Sequence, residues 1–176
     1  MKPVAGAVLV GFMGAGKSTV GRIVAGRLGI EFVEIDARIE AAAGKSVGDI
    51  FSSEGEAVFR ELERKAIREA VSVPGRVIAT GGGAFADAAN RVLLKRYAPV
   101  FFLDASAESV VRRLGGDTTR PLLRGEDRER RVRELMARRR PAYEEADHVV
   151  GTDRLTASQV AARVLRLLGG TEGERG

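Results

Sequence analysis

Gly11-Phe12-Met13-Gly14-Ala15-Gly16-Lys17-Ser18 fits the pattern G-x-x-x-x-G-K-[ST]. Glycines let backbone N–H groups turn inward and approach phosphate oxygens closely. A helix starting at the end of the loop aims its N-terminal N–H groups at the same anion. An apolar strand-like run, Val4–Val10, precedes the loop. Lys17–Leu28 follows with apolar residues at Val20, Ile23, Val24 and Leu28, a helical spacing that Gly29 ends. Strand, loop and helix together point to a nucleotide-binding loop. Gly14, Ala15, Gly16 and Thr19 are expected around the phosphates, Lys17 on the β- and γ-phosphates of ATP, and Ser18 on Mg²⁺.

Downstream, strands alternate with helices. Strands are expected at Glu31–Asp36, Arg76–Thr80, Val100–Asp104 and His148–Val150. Helical spacing marks Ala37–Ala43, Val47–Phe51, Glu54–Val71, Ala88–Arg96, Ala107–Leu114, Arg128–Arg138 and Ala157–Leu168. The alternation predicts an α/β fold, a parallel sheet covered on both faces. No repeat or linker divides the 176 residues, so residues 1–168 are read as one domain and 169–176 as a disordered tail.

Composition narrows the chemistry. With no cysteine and one histidine, disulfides, thiolate metal sites and histidine-driven catalysis are set aside. No apolar run approaches a membrane span and no signal peptide is visible, so a cytoplasmic location is expected. The net charge of +5 is local: residues 112–140 hold eleven arginines against five acidic residues, and the remainder is slightly acidic. Such a cluster, without interleaved aromatics, suits a compact anion better than a nucleic acid.

Ligands of an open parallel sheet bind beyond the strands' carboxyl ends. The phosphate loop, Asp36, Gly81–Gly83 and the region after Asp104 all fall there. Asp36 could accept a hydrogen bond from a substrate hydroxyl or cap the helix that follows. Arg139 continues the inward stripe of Val132, Leu135 and Met136, so it pairs either with a structural carboxylate or with a bound anion. Arg60 alone is ambiguous. Gly81–Gly83 reads as a flexible connection or as room for a ligand, and His148 as a strand residue.

One family carries these features in this order. GFMGAGKSTVG at 11–21, Asp36 with Ile39-Glu40, Phe59-Arg60 with Glu63, Gly81-Gly82-Gly83, Arg120-Pro121-Leu122-Leu123, and Arg139 with Pro141 and Tyr143 together resemble shikimate kinase, over residues 4–168. The resemblance implies a three-layer P-loop kinase fold with a five-stranded parallel sheet, shikimate-binding helices near 37–64 and a mobile lid over 112–127. It implies transfer of the ATP γ-phosphoryl group to the 3-hydroxyl of shikimate, giving shikimate 3-phosphate and ADP in aromatic amino-acid biosynthesis. Lys17, Asp36 and Arg120 would be catalytic. Asp36, Arg60, Gly81, Gly82, Gly83 and Arg139 would bind shikimate, and Arg113 and Arg120 would join the phosphate loop on ATP. Mg²⁺ would lie on Ser18, with Glu34 acting through water. A monomer acting on small molecules, with no nucleic-acid or membrane partner, is expected.

Two positions depart from the family. Glu34 stands where an Asp is usual, and Gly151 where many relatives carry Asp. Kinases of gluconate or of nucleotides share the loop and are the alternatives within enzymes. A nucleotide-binding regulator without turnover is the alternative outside them.

Overall fold

The computed structural model describes residues 6–115 and 127–171. The strands are β1 (Ala7–Val10), β2 (Glu31–Glu34), β3 (Arg76–Ala79), β4 (Val100–Asp104) and β5 (His148–Gly151). The helices are α1 (Lys17–Leu28), α2 (Ile35–Ala43), α3 (Val47–Glu54), α4 (Glu56–Val71), α5 (Ala88–Tyr97), α6 (Ala107–Leu114), α7 (Arg128–Tyr143) and α8 (Ala157–Thr171). All pairings are parallel, in the order β2-β3-β1-β4-β5.

That order places the helices. The crossover from β1 to β2 runs towards one edge, and every later crossover runs towards the other. Right-handed connections therefore put α1 on one face and α2–α7 on the opposite face. After β5 the chain returns to the first face, where α8 packs on α1. β1 and β4 are sheathed on both sides, which is why Val8, Leu9, Val10, Phe101 and Leu103 are buried. The progression reverses direction beside β1, so the crevice opens at the carboxyl ends of β3, β1 and β4.

α1, β4 and α6 occupy the expected residues. Several boundaries differ, α3 running on to Glu54 and α4 beginning at Glu56 among them. β2 stops at Glu34, and Asp36 lies in the first turn of α2. Its acidic side chain there complements the helix dipole, but the N-cap is Glu34 and no side chain caps this helix. α7 runs through Pro141 to Tyr143, one turn past the expected end. α8 continues to Thr171. His148 lies in β5, its ring stacked on Phe101 at 5.0 Å. Among the described residues, no helix is long and apolar enough to cross a membrane. Arg120 and residues 116–126 of the expected lid lie outside the described residues.

Candidate active site

The phosphate loop joins β1 to α1. Gly11 and Gly16 hold φ of 143° and 96°, left-handed backbone that a side chain would strain. A Cβ on Gly11 would also lie 2.7 Å from the Leu103 carbonyl of β4. Lys17 is buried, and its Nζ donates to the carbonyls of Gly11 and Phe12, each at 2.8 Å. The ammonium is thereby held over the loop where a phosphate would sit. Arg113, at the end of α6, donates to the Gly14 carbonyl at 3.2 Å, which places it at the rim of the same loop.

Ser18 and Glu34 meet across the α1–β2 junction, where the Ser18 hydroxyl donates to Glu34 Oε1. Arg22, one turn further along α1, donates to Glu34 Oε2 at 3.1 Å and lies over the Phe32 ring. The longer side chain of Glu34 thus reaches the serine directly. Among the described residues, no group of three acidic or histidine side chains could hold a metal unaided. One hydroxyl and one carboxylate nevertheless fit Mg²⁺, which keeps several waters and takes phosphate oxygens as its other ligands.

A second set of side chains converges on Gly81–Gly83, just past β3. A Cβ on Gly81 would lie 2.7 Å from Asp36 Oδ1 and 3.3 Å from Glu63 Oε2. One on Gly82 would lie 3.0 Å from Arg139 Nη1 and 3.3 Å from the Met13 amide of the phosphate loop. One on Gly83 would lie 2.6 Å from Arg60 Nη2. Three glycines therefore floor a cradle walled by two guanidinium groups and two carboxylates, against the phosphate loop. Their φ values need not be left-handed, since Gly81–Gly83 are absent from the positive-φ residues. Close approach is the reason for glycine here, not flexibility.

Charges in the cradle are only partly matched. Arg60 donates to Glu63 Oε1 at 2.8 Å and to the exposed Glu56 at 3.2 Å. Among the described residues, Glu63 Oε2 and Arg139 Nη1 are buried with no hydrogen-bond partner. Arg139 also lies over the Phe12 ring, 5.6 Å from its centroid. Glu63 is 1% exposed. Burial pushes its pKa up and Asp36 adds to this, while Arg60 and Arg139 pull it down without cancelling the rise. Buried polar atoms without partners are costly, so a polyhydroxylated acid offering donors and a carboxylate is the complementary guest.

Of the expected residues, Asp36, Arg60, Gly81, Gly82, Gly83 and Arg139 share this cradle. Lys17 and Ser18 lie in the first turn of α1 next to it, and Glu34 at the end of β2 meets Ser18. Glu63 and Tyr143 belong to the quoted motifs, but no role was read for them. The missing signal is helical spacing: Glu63 is three residues after Arg60 and Tyr143 four after Arg139. The Tyr143 hydroxyl donates to the Gly82 carbonyl.

The shikimate kinase family model matches residues 13–169. The chain belongs to the shikimate kinase family. A shikimate kinase of Symbiobacterium thermophilum is 46% identical over 172 residues, covering 96% of this chain and 98% of that protein. One of Halorhodospira halophila is 48% identical over 163 residues, 92% of each chain. The solved shikimate kinase of Acinetobacter baumannii, in complex with shikimate, superposes with a TM-score of 0.92 at 39% identity, covering 96% of this chain and 94% of that one. As a shikimate kinase family member the chain is an ATP-dependent phosphotransferase.

Proposed function

We propose that this protein transfers the γ-phosphoryl group of ATP to the 3-hydroxyl of shikimate, the role its family name carries. The observation that supports it is the cradle: Arg60, Arg139, Asp36 and Glu63 around three glycines, with Gly82 against Met13 of the phosphate loop. Two planar guanidinium forks suit a carboxylate, since each can donate two parallel hydrogen bonds. Arg60 and Arg139 grip the substrate carboxylate. Arg60 keeps its bond to buried Glu63 and exchanges exposed Glu56 for the ligand. Asp36 receives a ring hydroxyl, directs it at the γ-phosphorus and takes its proton as the new O–P bond forms. The bond from phosphorus to the bridging oxygen of ADP breaks in the same event. Lys17 moves its charge from the loop carbonyls to the phosphates.

Ser18, and Glu34 through water, would hold Mg²⁺, which would supply charge neutralisation to the phosphates when bound. Ser18 and Glu34 orient one another through their hydrogen bond, and Arg22 keeps the Glu34 carboxylate turned towards the serine. Arg120, in the segment outside the described residues, is assigned to the transferring phosphoryl group, and Arg113 to the face of the adenine. Catalysis is then positioning and charge stabilisation, with no covalent enzyme intermediate. The same reading carries a cytoplasmic monomer with small-molecule partners.

The test is an ADP-release assay with Mg-ATP that compares shikimate, gluconate and nucleoside monophosphates. Turnover confined to shikimate is expected. Turnover with gluconate or a nucleotide alone sinks the acceptor assignment and leaves the phosphate loop standing.

A further inference from the structure

Tyr143 is the most deeply placed polar side chain on the substrate-facing side of α7. It is 2% exposed, and its ring stacks on Phe102 of β4 at a centroid distance of 5.0 Å. Burial is dear for a phenol unless its hydroxyl finds a partner, and this one donates to the Gly82 carbonyl. Of all carbonyls near the crevice, that choice has consequences on three sides. Gly82 lies against the Met13 amide of the phosphate loop and against Arg139 Nη1. Arg139 sits one turn before Tyr143 on the same helix. Because a peptide unit is planar, holding the Gly82 carbonyl also fixes the direction of the Gly83 N–H, which points the opposite way. Gly83 is the residue whose α-carbon faces Arg60 Nη2.

On the shikimate reading, we infer that Tyr143 is a positioning residue whose hydroxyl ties the glycine floor to α7 and so sets the acceptor hydroxyl in line with the phosphate loop. Phe102 holds the ring, α7 holds the Cα, and the hydroxyl holds Gly82. Both clamps of the substrate carboxylate are referred to that one point: Arg139 through the helix it shares with Tyr143, Arg60 through Gly83. Burial pushes the Tyr143 phenol up to about 12 against the opposing pull of Arg139. The hydroxyl therefore stays a donor wherever the enzyme works.

Tyr143→Phe keeps the ring and its stack on Phe102 and removes only the donor. Wild-type turnover of shikimate is measured first; without it the acceptor reading fails and this inference with it. Given turnover, the variant is expected to lose about tenfold or more in kcat/KM for shikimate, since small misplacements of reacting groups are expensive. Its affinity for ADP should stay within about twofold, because it touches no phosphate-loop donor. ADP should also outrun shikimate 3-phosphate, as a misaligned acceptor lets water compete. Constants within about twofold of wild type and a one-to-one product ratio overturn the inference while leaving the shikimate reading intact. A second measurement needs no variant at the site. The chain has two tyrosines, and Tyr97 is tied remotely to Arg76 and Val73. In 3-fluorotyrosine-labelled protein, with Tyr97→Phe giving the assignment, the Tyr143 resonance should shift on shikimate addition. An unmoved Tyr143 signal at saturating shikimate also overturns it.

Discussion

Arg139 illustrates how a single side chain carries recognition. Its Nη1 is buried with no hydrogen-bond partner among the described residues, so a substrate carboxylate repays a cost already present in the fold. A charged hydrogen bond of this kind is worth about 1.5–3 kcal/mol. Arg139→Ala should therefore raise the shikimate KM by more than about tenfold; an unchanged KM in steady-state assays would show that its role is structural. Gly83 tests the cradle from below. A methyl there would meet Arg60 Nη2 at 2.6 Å. Gly83 has φ of −97°, which any residue adopts. Gly83→Ala should thus fold normally, displace the Arg60 guanidinium and weaken shikimate binding by about tenfold or more while ADP affinity holds. Isothermal titration with each ligand separates the two, and equal losses for both would contradict the cradle. At this scale the sequence exposed residue types but not distances: Gly81–Gly83 read as a flexible connection or as room for a ligand, and the structure adds side chains that approach too closely for a Cβ at any of the three.

Helix α4 brings Arg60 and Glu63 onto one face, three residues apart, and buries the carboxylate. Desolvation raises the pKa of Glu63 above its ordinary value of 4.5. A carboxyl whose folded pKa is raised binds more protons in the folded state than in the unfolded one. Its contribution to stability is full below the unfolded pKa and is lost as pH rises through the folded one. Glu63→Gln mimics the neutral form at every pH. In thermal melts from pH 4.5 upward, the wild type should lose ground steadily against this variant; a difference independent of pH would refute the assignment. Elements differ in how far the sequence reveals them. α1 and α6 have local punctuation: Gly16 and Gly29 bracket the first, and the Ser106 hydroxyl caps the second by accepting from the Ser109 amide. α7 has a contrary signal in Pro141, which removes a helical N–H. Its last turn is held by Tyr143 on Gly82 and Phe102 and by Arg140 on Asp104 at 3.0 Å. Those partners are distant in sequence, so a local reading ends the helix early.

For the molecule as a whole, the parallel sheet gathers loops from four strand ends around one crevice, and ligands should stabilise that assembly. ADP at about 100 times its Kd contributes about 2.7 kcal/mol. For a chain of this size that is a rise in Tm on the order of 5–10 °C. Lys17→Ala leaves two loop carbonyls without their donor, at about 1–3 kcal/mol. The variant should still fold, melt several degrees lower, gain less from ADP and lose about 100-fold or more in kcat. Differential scanning fluorimetry with the ADP-release assay checks this, and near-normal activity would remove the phosphate-loop assignment. The fold class and the phosphate loop are legible along the chain, because periodicity, β-branching and glycine placement act over a few residues and are written in order. The sequence also supplied the cradle's residue types through their ordered motifs. Tertiary structure alone decided that Asp36 sits in a helical turn, that Glu63 is buried beside Arg60, that Glu34 touches Ser18, and that Tyr143 holds Gly82. Burial sets the state of Glu63, and contacts such as Ser18 on Glu34 and Tyr143 on Gly82 join segments 16 and 61 residues apart, where the free energy depends on what surrounds a group rather than on its neighbours in the chain.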